Sequence, residues 1–340
     1  MATPEGTPPG HAQPLEGARV FVARILPGAR PLERLRAVVP DLDVWEADAP
    51  PPAEELRVRA RGCTGLLTML TDRIDAALLD ACPGLRVVAN MAVGYDNIDV
   101  LAASERGVLV TNTPGVLTET TADLAFALLL ASARRLAEGE VAVRGGAWGP
   151  WRPSWLLGRE VSGAVLGIVG PGRIGAAVAR RAGGFGMRVL YAGRRVVPGF
   201  PGEAVPLDVL LETSDFVSVH LPLTEDTAGM FNDALFRKMR PTATFINTAR
   251  GGVVDQPALA RALREGRIAA AAIDVTSPEP LPPDDLLLDA PNLLVTPHVG
   301  SATGATRERM ADLAVDGLLA GLRGERPTHL VNPEAWKGPR

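Results

Sequence analysis

The chain has 340 residues, of which 46% are hydrophobic and 22% charged, and its formal net charge is −4 at pH 7. This length favours two domains, and the acidic balance provides no basic surface for nucleic acid. The longest apolar stretch, residues 124–133, is too short to cross a bilayer and instead predicts a buried helix.

The cysteines and the amino terminus indicate where the protein works. Cys63 and Cys82 are the only two cysteines, and they have neither metal-ligand spacing nor the number needed for a disulfide framework. Such usage is typical of the reducing cytoplasm. Residues 1–17 are rich in Pro, Gly and Thr and lack the apolar core of a signal peptide, so we expect a flexible tail.

Apolar strands alternate with helices in the first part of the chain. The predicted strands are 19–26, 43–45, 64–70, 85–91 and 108–111. The predicted helices are 31–39, 54–61 and 73–81, with Asp72 as the cap of the last. This alternation implies a parallel sheet that is covered by helices on both faces.

The second part of the chain begins with a long helix from Thr118 to about Arg135, for which Thr118 and Thr121 offer capping hydroxyls. A later helix between Asp255 and Gly266 has a regular pair of caps. Six strands are expected, as in a doubly wound nucleotide-binding sheet, at 164–169, 188–191, 216–220, 243–247, 269–275 and 293–295.

A last amphipathic helix, 307–322, is expected to return to the first domain. The sequence therefore predicts an α/β protein with a Rossmann domain inserted into a flavodoxin-like domain. We assign residues 1–17 to the tail, 18–112 and 304–340 to a discontinuous substrate-binding domain, and 113–303 to a dinucleotide-binding domain.

A glycine-rich loop, Gly170-Pro171-Gly172-Arg173-Ile174-Gly175, follows the strand at 164–169 and opens a helix. This is the G-x-G-x-x-G spacing in the context that dinucleotide binding requires. Gly170 permits the tight turn, Gly172 lets the backbone approach a pyrophosphate, and Gly175 lets the helix pack closely on the strand. The unpaired N–H groups at the start of the helix then face the phosphates.

The next strand ends in Ala192-Gly193-Arg194-Arg195 and carries no acid. An NAD enzyme usually places Asp or Glu there, roughly 20 residues after the glycines, to accept from the ribose 2′-hydroxyl. Here Gly193 leaves room, and Arg194 and Arg195 offer positive charge for a 2′-phosphate. The sequence thus favours NADP(H) and leaves NAD(H) possible.

Three later segments each place a reactive side chain just past a predicted strand, where open α/β sheets bind ligands. Arg250 precedes two glycines and suits the bidentate binding of a carboxylate. Glu279 stands between Pro278 and Pro280, and His298 lies in a loop rich in Pro, Gly and Ser. Reduction of a ketone by a nicotinamide needs an arginine to bind the substrate and a histidine to supply a proton. It also needs a carboxylate to keep that histidine protonated.

No His, Asp or Glu cluster has metal-ligand spacing, so we expect no metal site. Taken together, the motifs resemble the D-isomer-specific 2-hydroxyacid dehydrogenases from about Arg19 to Leu330, and within them the glyoxylate/hydroxypyruvate reductases. The segments that carry the resemblance are 90–99, 113–115, 118–130, 167–175, 191–195, 247–252, 274–282, 297–303 and 318–325, with the tryptophan cluster at 148–155.

The resemblance implies Arg250 as the carboxylate anchor, His298 as the general acid and Glu279 as its charge partner. Further substrate contacts would come from the backbone of Val93 and Gly94, from Ser301, and from Trp148 of the segment that reaches the neighbour in a homodimer. The implied cofactor contacts are Thr121, Gly170, Gly172, Arg173, Ile174, Gly175, Arg194, Arg195, Pro222, Thr248, Asp274 and Gly300. Pro171 departs from the family by removing one backbone donor from the loop.

The resemblance implies an NADPH-dependent reductase that converts glyoxylate to glycolate and hydroxypyruvate to D-glycerate. The same chemistry on another, bulkier 2-oxo acid is a second hypothesis. A dinucleotide-sensing regulator without catalysis is a third, because a sensor with this fold can retain the catalytic residues. A small 2-oxo or 2-hydroxy acid and a second copy of the chain are the expected partners, with no nucleic acid and no membrane.

Overall fold

The computed structural model describes residues 13–338 and divides into two compact units. The first unit contains the residues up to Val116 and those from Thr303 onward, and the second runs from Leu117 to Ala302. Residues 1–12 of the expected tail lie outside the described residues. Leu15, in the described part of that segment, donates its backbone N–H to the carbonyl of Val38 at 2.7 Å.

The first unit is a five-stranded parallel sheet with helices around it. Its strands are β1 (Arg19–Val22), β2 (Asp41–Val44), β3 (Gly65–Thr68), β4 (Val87–Asn90) and β5 (Leu109–Thr111). Its helices are α1 (Ala29–Val38), α2 (Ala53–Ala60), α3 (Ala76–Asp80), α4 (Val100–Glu105) and, much later in the chain, α11 (Gly304–Arg323). The strand order β2-β1-β3-β4-β5 is that of the flavodoxin-like fold.

Two local predictions for the first unit are wrong. The carboxylate of Asp72 does not cap a helix but accepts from the backbone N–H of Met69 at 2.7 Å, and α3 is capped by Asp75, which accepts from Leu78 N at 3.0 Å. The sequence analysis also missed α4, whose N-cap is Asp99. Both helices have six residues or fewer, which is too short for an amphipathic period to show.

The second unit is a seven-stranded sheet, in which each ladder is parallel. Its strands are β6 (Val165–Val169), β7 (Arg188–Ala192), β8 (Glu203–Ala204), β9 (Phe216–Val219), β10 (Thr244–Asn247), β11 (Ala270–Ile273) and β12 (Leu293–Val295). Its helices are α5 (Thr118–Ala133), α6 (Leu136–Arg144), α7 (Arg173–Gly183), α8 (Leu207–Thr213), α9 (Asp233–Lys238) and α10 (Gln256–Arg264). The order β12-β11-β10-β9-β6-β7-β8 is the Rossmann order with one strand added.

Three features of the second unit differ from the predictions. The N-cap of α5 is Leu117 with no side-chain cap, and Thr121 is buried inside the helix. The short helix α6 was not predicted, because it buries none of its residues and so has no core-facing stripe. Strand β8 was missed because it has only two residues, both exposed. By contrast, Asp255 caps α10 as predicted, accepting from Ala258 N at 3.0 Å.

Helices cover both faces of the second sheet. Successive residues of a strand point to opposite faces, so Phe245 packs with Phe236 of α9 and Leu259 of α10 in one core. Its neighbour Ile246 packs with Phe126 of α5 and Val178 of α7 in another. The fold class predicted from the sequence, two parallel-sheet α/β units of which one is a Rossmann domain, is confirmed.

Among residues 13–338, no helix is long and apolar enough to span a membrane. Within the same range, His, Cys, Asp and Glu side chains form no group that could hold a metal ion.

Candidate active site

The order of strands in the second sheet creates a crevice between β6 and β9. The chain leaves β6 toward β7 on one side and leaves β9 toward β10 on the other, and ligands of open α/β sheets bind at such a switch point. Gly170 follows β6 with φ +100°, and a Cβ there would lie 2.6 Å from the carbonyl oxygen of His220, which follows β9. A side chain at position 170 is therefore excluded by both the backbone conformation and the close neighbour.

The glycine loop fits a dinucleotide. Helix α7 starts at Arg173, so its first backbone N–H groups lack partners within the helix and can face an anion. A Cβ at Gly172 would meet nothing within 4 Å, which leaves the backbone open on that side. A Cβ at Gly175 would lie 2.5 Å from the carbonyl oxygen of Gly170, so close packing of loop and helix depends on this glycine.

Three arginines stand around this loop with their side chains available. Arg173, Arg194 and Arg195 are exposed. No guanidinium of the three has a hydrogen bond or ion pair to any of the residues that the structure describes. Arg188, at the start of β7, pairs by contrast with Glu203 at 2.7 Å. The guanidinium groups of the three arginines therefore carry positive charge that no acid among the described residues neutralises.

A carboxylate–histidine pair lies at the carboxyl edge of the same sheet. Nδ1 of His298 is 2.7 Å from Oε2 of Glu279, and the two side chains are 26% and 30% exposed. The other carboxylate oxygen of Glu279 accepts from the backbone N–H of Thr276 at 3.0 Å. Since an ionised carboxylate can only accept, Nδ1 of His298 is the donor in this pair, and Nε2 is directed away from Glu279.

Opposing influences set the pKa of Glu279. Partial burial raises it, but the hydrogen bond and charge of His298, the N–H of Thr276 and the charge of Arg250 outweigh this effect, so the pKa lies below its usual value. Glu279 is therefore ionised over the whole neutral range. Arg250 is thus near enough to Glu279 for its charge to act on the carboxylate.

Asp274 organises the loop that carries His298. Its buried carboxylate accepts from Thr296 Oγ1 at 2.5 Å, from Val299 N at 2.9 Å and from Gly300 N at 2.8 Å. Its backbone carbonyl accepts from His298 N at 2.8 Å, which holds His298 at φ +53°. We predicted a cofactor contact for Asp274; the structure shows that its carboxylate oxygens are already engaged with the loop.

Arg250 is held by a neighbour that the sequence analysis did not single out. Asn247 ends β10 and is 1% exposed. Its Nδ2 donates to the carbonyl of Arg250 at 3.0 Å, and its Oδ1 accepts from Ala249 N at 2.9 Å. Asn at a strand end followed by a glycine turn is the signal that could have identified this residue.

A second histidine at the crevice is unsuited to acid catalysis. Nε2 of His220 lies 2.9 Å from Ser218 Oγ. Removal from water lowers the pKa of His220 to about 4, so its imidazole is neutral at physiological pH. His298 differs from His220 in that its Nδ1 lies against a carboxylate, that of Glu279.

The other predicted site residues fall in both units. Gly300 lies against Thr121, since a Cβ on Gly300 would be 3.4 Å from Thr121 Cγ2. Thr248 follows β10, and its buried hydroxyl has no partner among residues 13–338. The remaining members in the second unit are exposed or half-buried, and they are Trp148, Ile174, Pro222 and Ser301.

Val93 and Gly94 belong to the first unit, on the segment after β4. Asn112 Nδ2 donates to the carbonyl of Val93 at 2.8 Å, and Asn90 Nδ2 to that of Gly94 at 3.0 Å. Their backbone N–H groups make no hydrogen bond within the described part of the chain. The asparagines thus fix a turn whose amides can bind an anion, a role that the sequence analysis missed.

Comparison with known proteins agrees with this site. A family model described as D-isomer specific 2-hydroxyacid dehydrogenase, NAD binding domain, matches residues 126–300. A glyoxylate reductase of Korarchaeum cryptofilum is 52% identical over 324 residues, covering 94% of this chain and 97% of the relative. A glyoxylate reductase of Pyrococcus furiosus is 47% identical over 330 residues, covering 94% and 96%.

Solved structures resemble the whole fold. A protein of Thermus thermophilus has a TM-score of 0.87 and 49% identity, covering 92% of this chain and 99% of that one. An NADPH-dependent glyoxylate/hydroxypyruvate reductase of Sinorhizobium meliloti, solved with NADP and malonate, has a TM-score of 0.83 and 35% identity, covering 96% and 99%.

A Rossmann sheet with an open glycine loop and a Glu–His pair at its carboxyl edge defines an oxidoreductase that uses a nicotinamide dinucleotide. The chain belongs to the D-isomer specific 2-hydroxyacid dehydrogenase family. The resemblance noted from the sequence motifs is thereby confirmed.

Proposed function

We propose that the protein is an NADPH-dependent reductase of small 2-oxo acids, which converts glyoxylate to glycolate and hydroxypyruvate to D-glycerate. The observation that carries this proposal is the 2.7 Å contact between His298 and the ionised Glu279. The charge of Arg250 also acts on Glu279 and helps to lower its pKa. The glyoxylate reductases among the relatives support the choice of substrate. The two unpaired cysteines support a cytoplasmic location.

Each catalytic residue has one task in this proposal. The guanidinium of Arg250 binds the substrate carboxylate through two parallel hydrogen bonds. Nε2 of His298 donates a proton to the carbonyl oxygen, while Glu279 holds the imidazole through Nδ1 and stabilises its charged form. A bound nicotinamide supplies the hydride.

The cofactor preference rests on the end of β7. Position 193 is glycine, and exposed Arg194 and Arg195 follow it without acidic partners among the described residues. Guanidinium groups make charge-assisted, bidentate contacts to a 2′-phosphate that a neutral ribose hydroxyl does not offer. The S. meliloti relative, described as NADPH-dependent and solved with NADP, supports the same preference.

The direct test is a substrate panel with purified protein. Glyoxylate, hydroxypyruvate, pyruvate and bulkier 2-oxo acids are each supplied with NADPH or NADH, and cofactor oxidation is followed by absorbance. We expect the highest kcat/KM for glyoxylate or hydroxypyruvate with NADPH. A higher kcat/KM for a bulkier acid would support the second hypothesis. No oxidation with any acid would refute the enzyme and favour a dinucleotide sensor.

We also propose that the enzyme is a homodimer. Helix α6 buries none of its residues, and Val141 is 67% exposed. Trp148 and Trp151 follow it at 69% and 85% exposed. A surface with so many large apolar side chains is typical of a protein interface. Light scattering should give twice the 35.7 kDa mass of the chain, and Trp148→Ala should lower kcat/KM if Trp148 reaches the neighbour's substrate.

A further inference from the structure

The glycine loop touches the end of β7 through two neighbouring residues. Gly170 donates its backbone N–H to the carbonyl of Ala192 at 3.0 Å. The residues that follow, Pro171 and Gly193, therefore lie side by side. A Cβ built on Gly193 would be 2.6 Å from Cδ and 2.8 Å from Cγ of Pro171, whereas real Cβ atoms essentially never come within 3.0 Å of another heavy atom.

The proline alone makes glycine necessary at position 193. The backbone of Gly193 is not in the left-handed region, so an L-residue could adopt its conformation. The next nearest atom, the carbonyl oxygen of Arg195, is at an ordinary 3.8 Å. The pyrrolidine ring is fused to its own backbone and cannot rotate away as a flexible side chain would. Gly172 differs, because a Cβ there meets nothing within 4 Å.

We propose that Pro171 is a specificity-determining residue, which acts by closing position 193 to every side chain. In NAD-dependent Rossmann enzymes an acid at the end of the second strand, roughly 20 residues after the glycines, binds the ribose 2′-hydroxyl. Pro171 excludes that acid and keeps the space beside Arg194 and Arg195 open for a 2′-phosphate. This inference rests on the proposed preference for NADPH.

The proposal predicts that the two positions are coupled. Pro171→Ala removes Cγ and Cδ, the two ring atoms closest to the added Cβ, so a side chain at 193 becomes possible only in that background. The experiment compares the wild type, Gly193→Asp, Pro171→Ala and the double variant in a double-mutant cycle. Dissociation constants for NADH and NADPH are measured by fluorescence titration, without substrate.

We expect Gly193→Asp alone to weaken the binding of NADPH without strengthening the binding of NADH, because the aspartate displaces the loop. In the Pro171→Ala background the same substitution should lower the dissociation constant for NADH by about tenfold. This is the gain expected from a hydrogen bond to a charged group. An equal gain for NADH in both backgrounds would overturn the steric role of Pro171. A wild type that binds NADH as tightly as NADPH would instead overturn the proposed cofactor preference, and this inference with it.

Thermal unfolding tests the contact between Pro171 and position 193 by a second measurement, which does not need the cofactor. Gly193→Ala should lower Tm by a few degrees when Pro171 is present, since overpacking destabilises, and should not lower it in the Pro171→Ala background. Gly172→Ala is the matched control, because its Cβ enters open space. If Gly193→Ala lowers Tm by the same amount in both backgrounds, the steric contact between Pro171 and a side chain at position 193 is contradicted.

Discussion

Nδ1 of His298 lies 2.7 Å from Oε2 of Glu279, and backbone hydrogen bonds hold both partners in place. The N–H of His298 donates to the carbonyl of Asp274, and the N–H of Thr276 donates to the second oxygen of Glu279. The pair is therefore preorganised, because neither side chain has to be ordered when substrate arrives. Its geometry leaves Nε2 as the imidazole nitrogen of His298 that can serve the substrate.

Replacement of His298 should remove the proton donor and leave the cofactor site intact. For His298→Ala we expect kcat with glyoxylate to fall by about 10³-fold, within the range for loss of a general acid. NADPH affinity, measured by titration, should stay near that of the wild type. His329→Ala, in the first unit, is the matched histidine control. A kcat close to the wild-type value would refute the role of His298.

Replacement of Glu279 should lower kcat. Glu279 has a lowered pKa and is ionised at neutral pH. In Glu279→Gln the shape is kept but the carboxylate that accepts from Nδ1 of His298 is lost, so kcat with glyoxylate should fall about tenfold or more. Steady-state kinetics measures the loss, and NADPH affinity should stay near that of the wild type. A kcat close to the wild-type value would contradict the charge-partner role.

The same carboxylate should stabilise the fold in a defined pH window. Because its pKa is lower in the folded protein than the usual 4.5, the stabilisation is present above 4.5 and is lost as the pH falls through the folded value. The wild type should therefore unfold at a higher temperature than Glu279→Gln at about pH 5.5, and at nearly the same temperature at about pH 3. A difference in Tm that persists unchanged at the lower pH would exclude the ionised carboxylate as its source.

Replacement of Arg250 should weaken substrate binding strongly, and replacement of Asn247 should weaken it less. Arg250→Ala removes the carboxylate anchor, and we expect kcat/KM to fall by about 10²-fold or more, mainly through KM. Asn247→Ala removes the bonds to Arg250 O and Ala249 N, so it should raise KM by a smaller factor, about tenfold. Arg250→Lys keeps the charge without the planar fork and should remain impaired. These effects are measured by steady-state kinetics with glyoxylate. A wild-type KM in Arg250→Ala would contradict the role of Arg250 as carboxylate anchor.

The sequence was a good guide where chemistry or spacing is local. The strand–glycine–helix spacing located the loop at Gly170. Reactive side chains just past predicted strands pointed to Arg250, Glu279 and His298, of which the last two lie 2.7 Å apart. It could not reveal contacts between residues far apart in the chain. The carboxylate of Asp274, for which we predicted a cofactor contact, also accepts from Val299 and Gly300, more than twenty residues later. The steric dependence of Gly193 on Pro171 is likewise invisible without the fold.

The arginines after β7 give the sharpest test of cofactor choice. Arg194→Ala combined with Arg195→Ala should raise the Kd for NADPH by about 10²-fold, since two charge-assisted contacts to a 2′-phosphate are lost. NADH lacks that phosphate, so its Kd should change little. Arg188→Ala is the matched control, because this arginine lies at the start of β7, away from the two arginines that follow the strand, and pairs with Glu203 at 2.7 Å. Fluorescence titrations at two salt concentrations should show the NADPH advantage of the wild type shrinking with salt, as expected for exposed charges. If the double variant lost affinity for both cofactors equally, the arginines would act on the shared pyrophosphate or on the fold, and the 2′-phosphate assignment would be wrong.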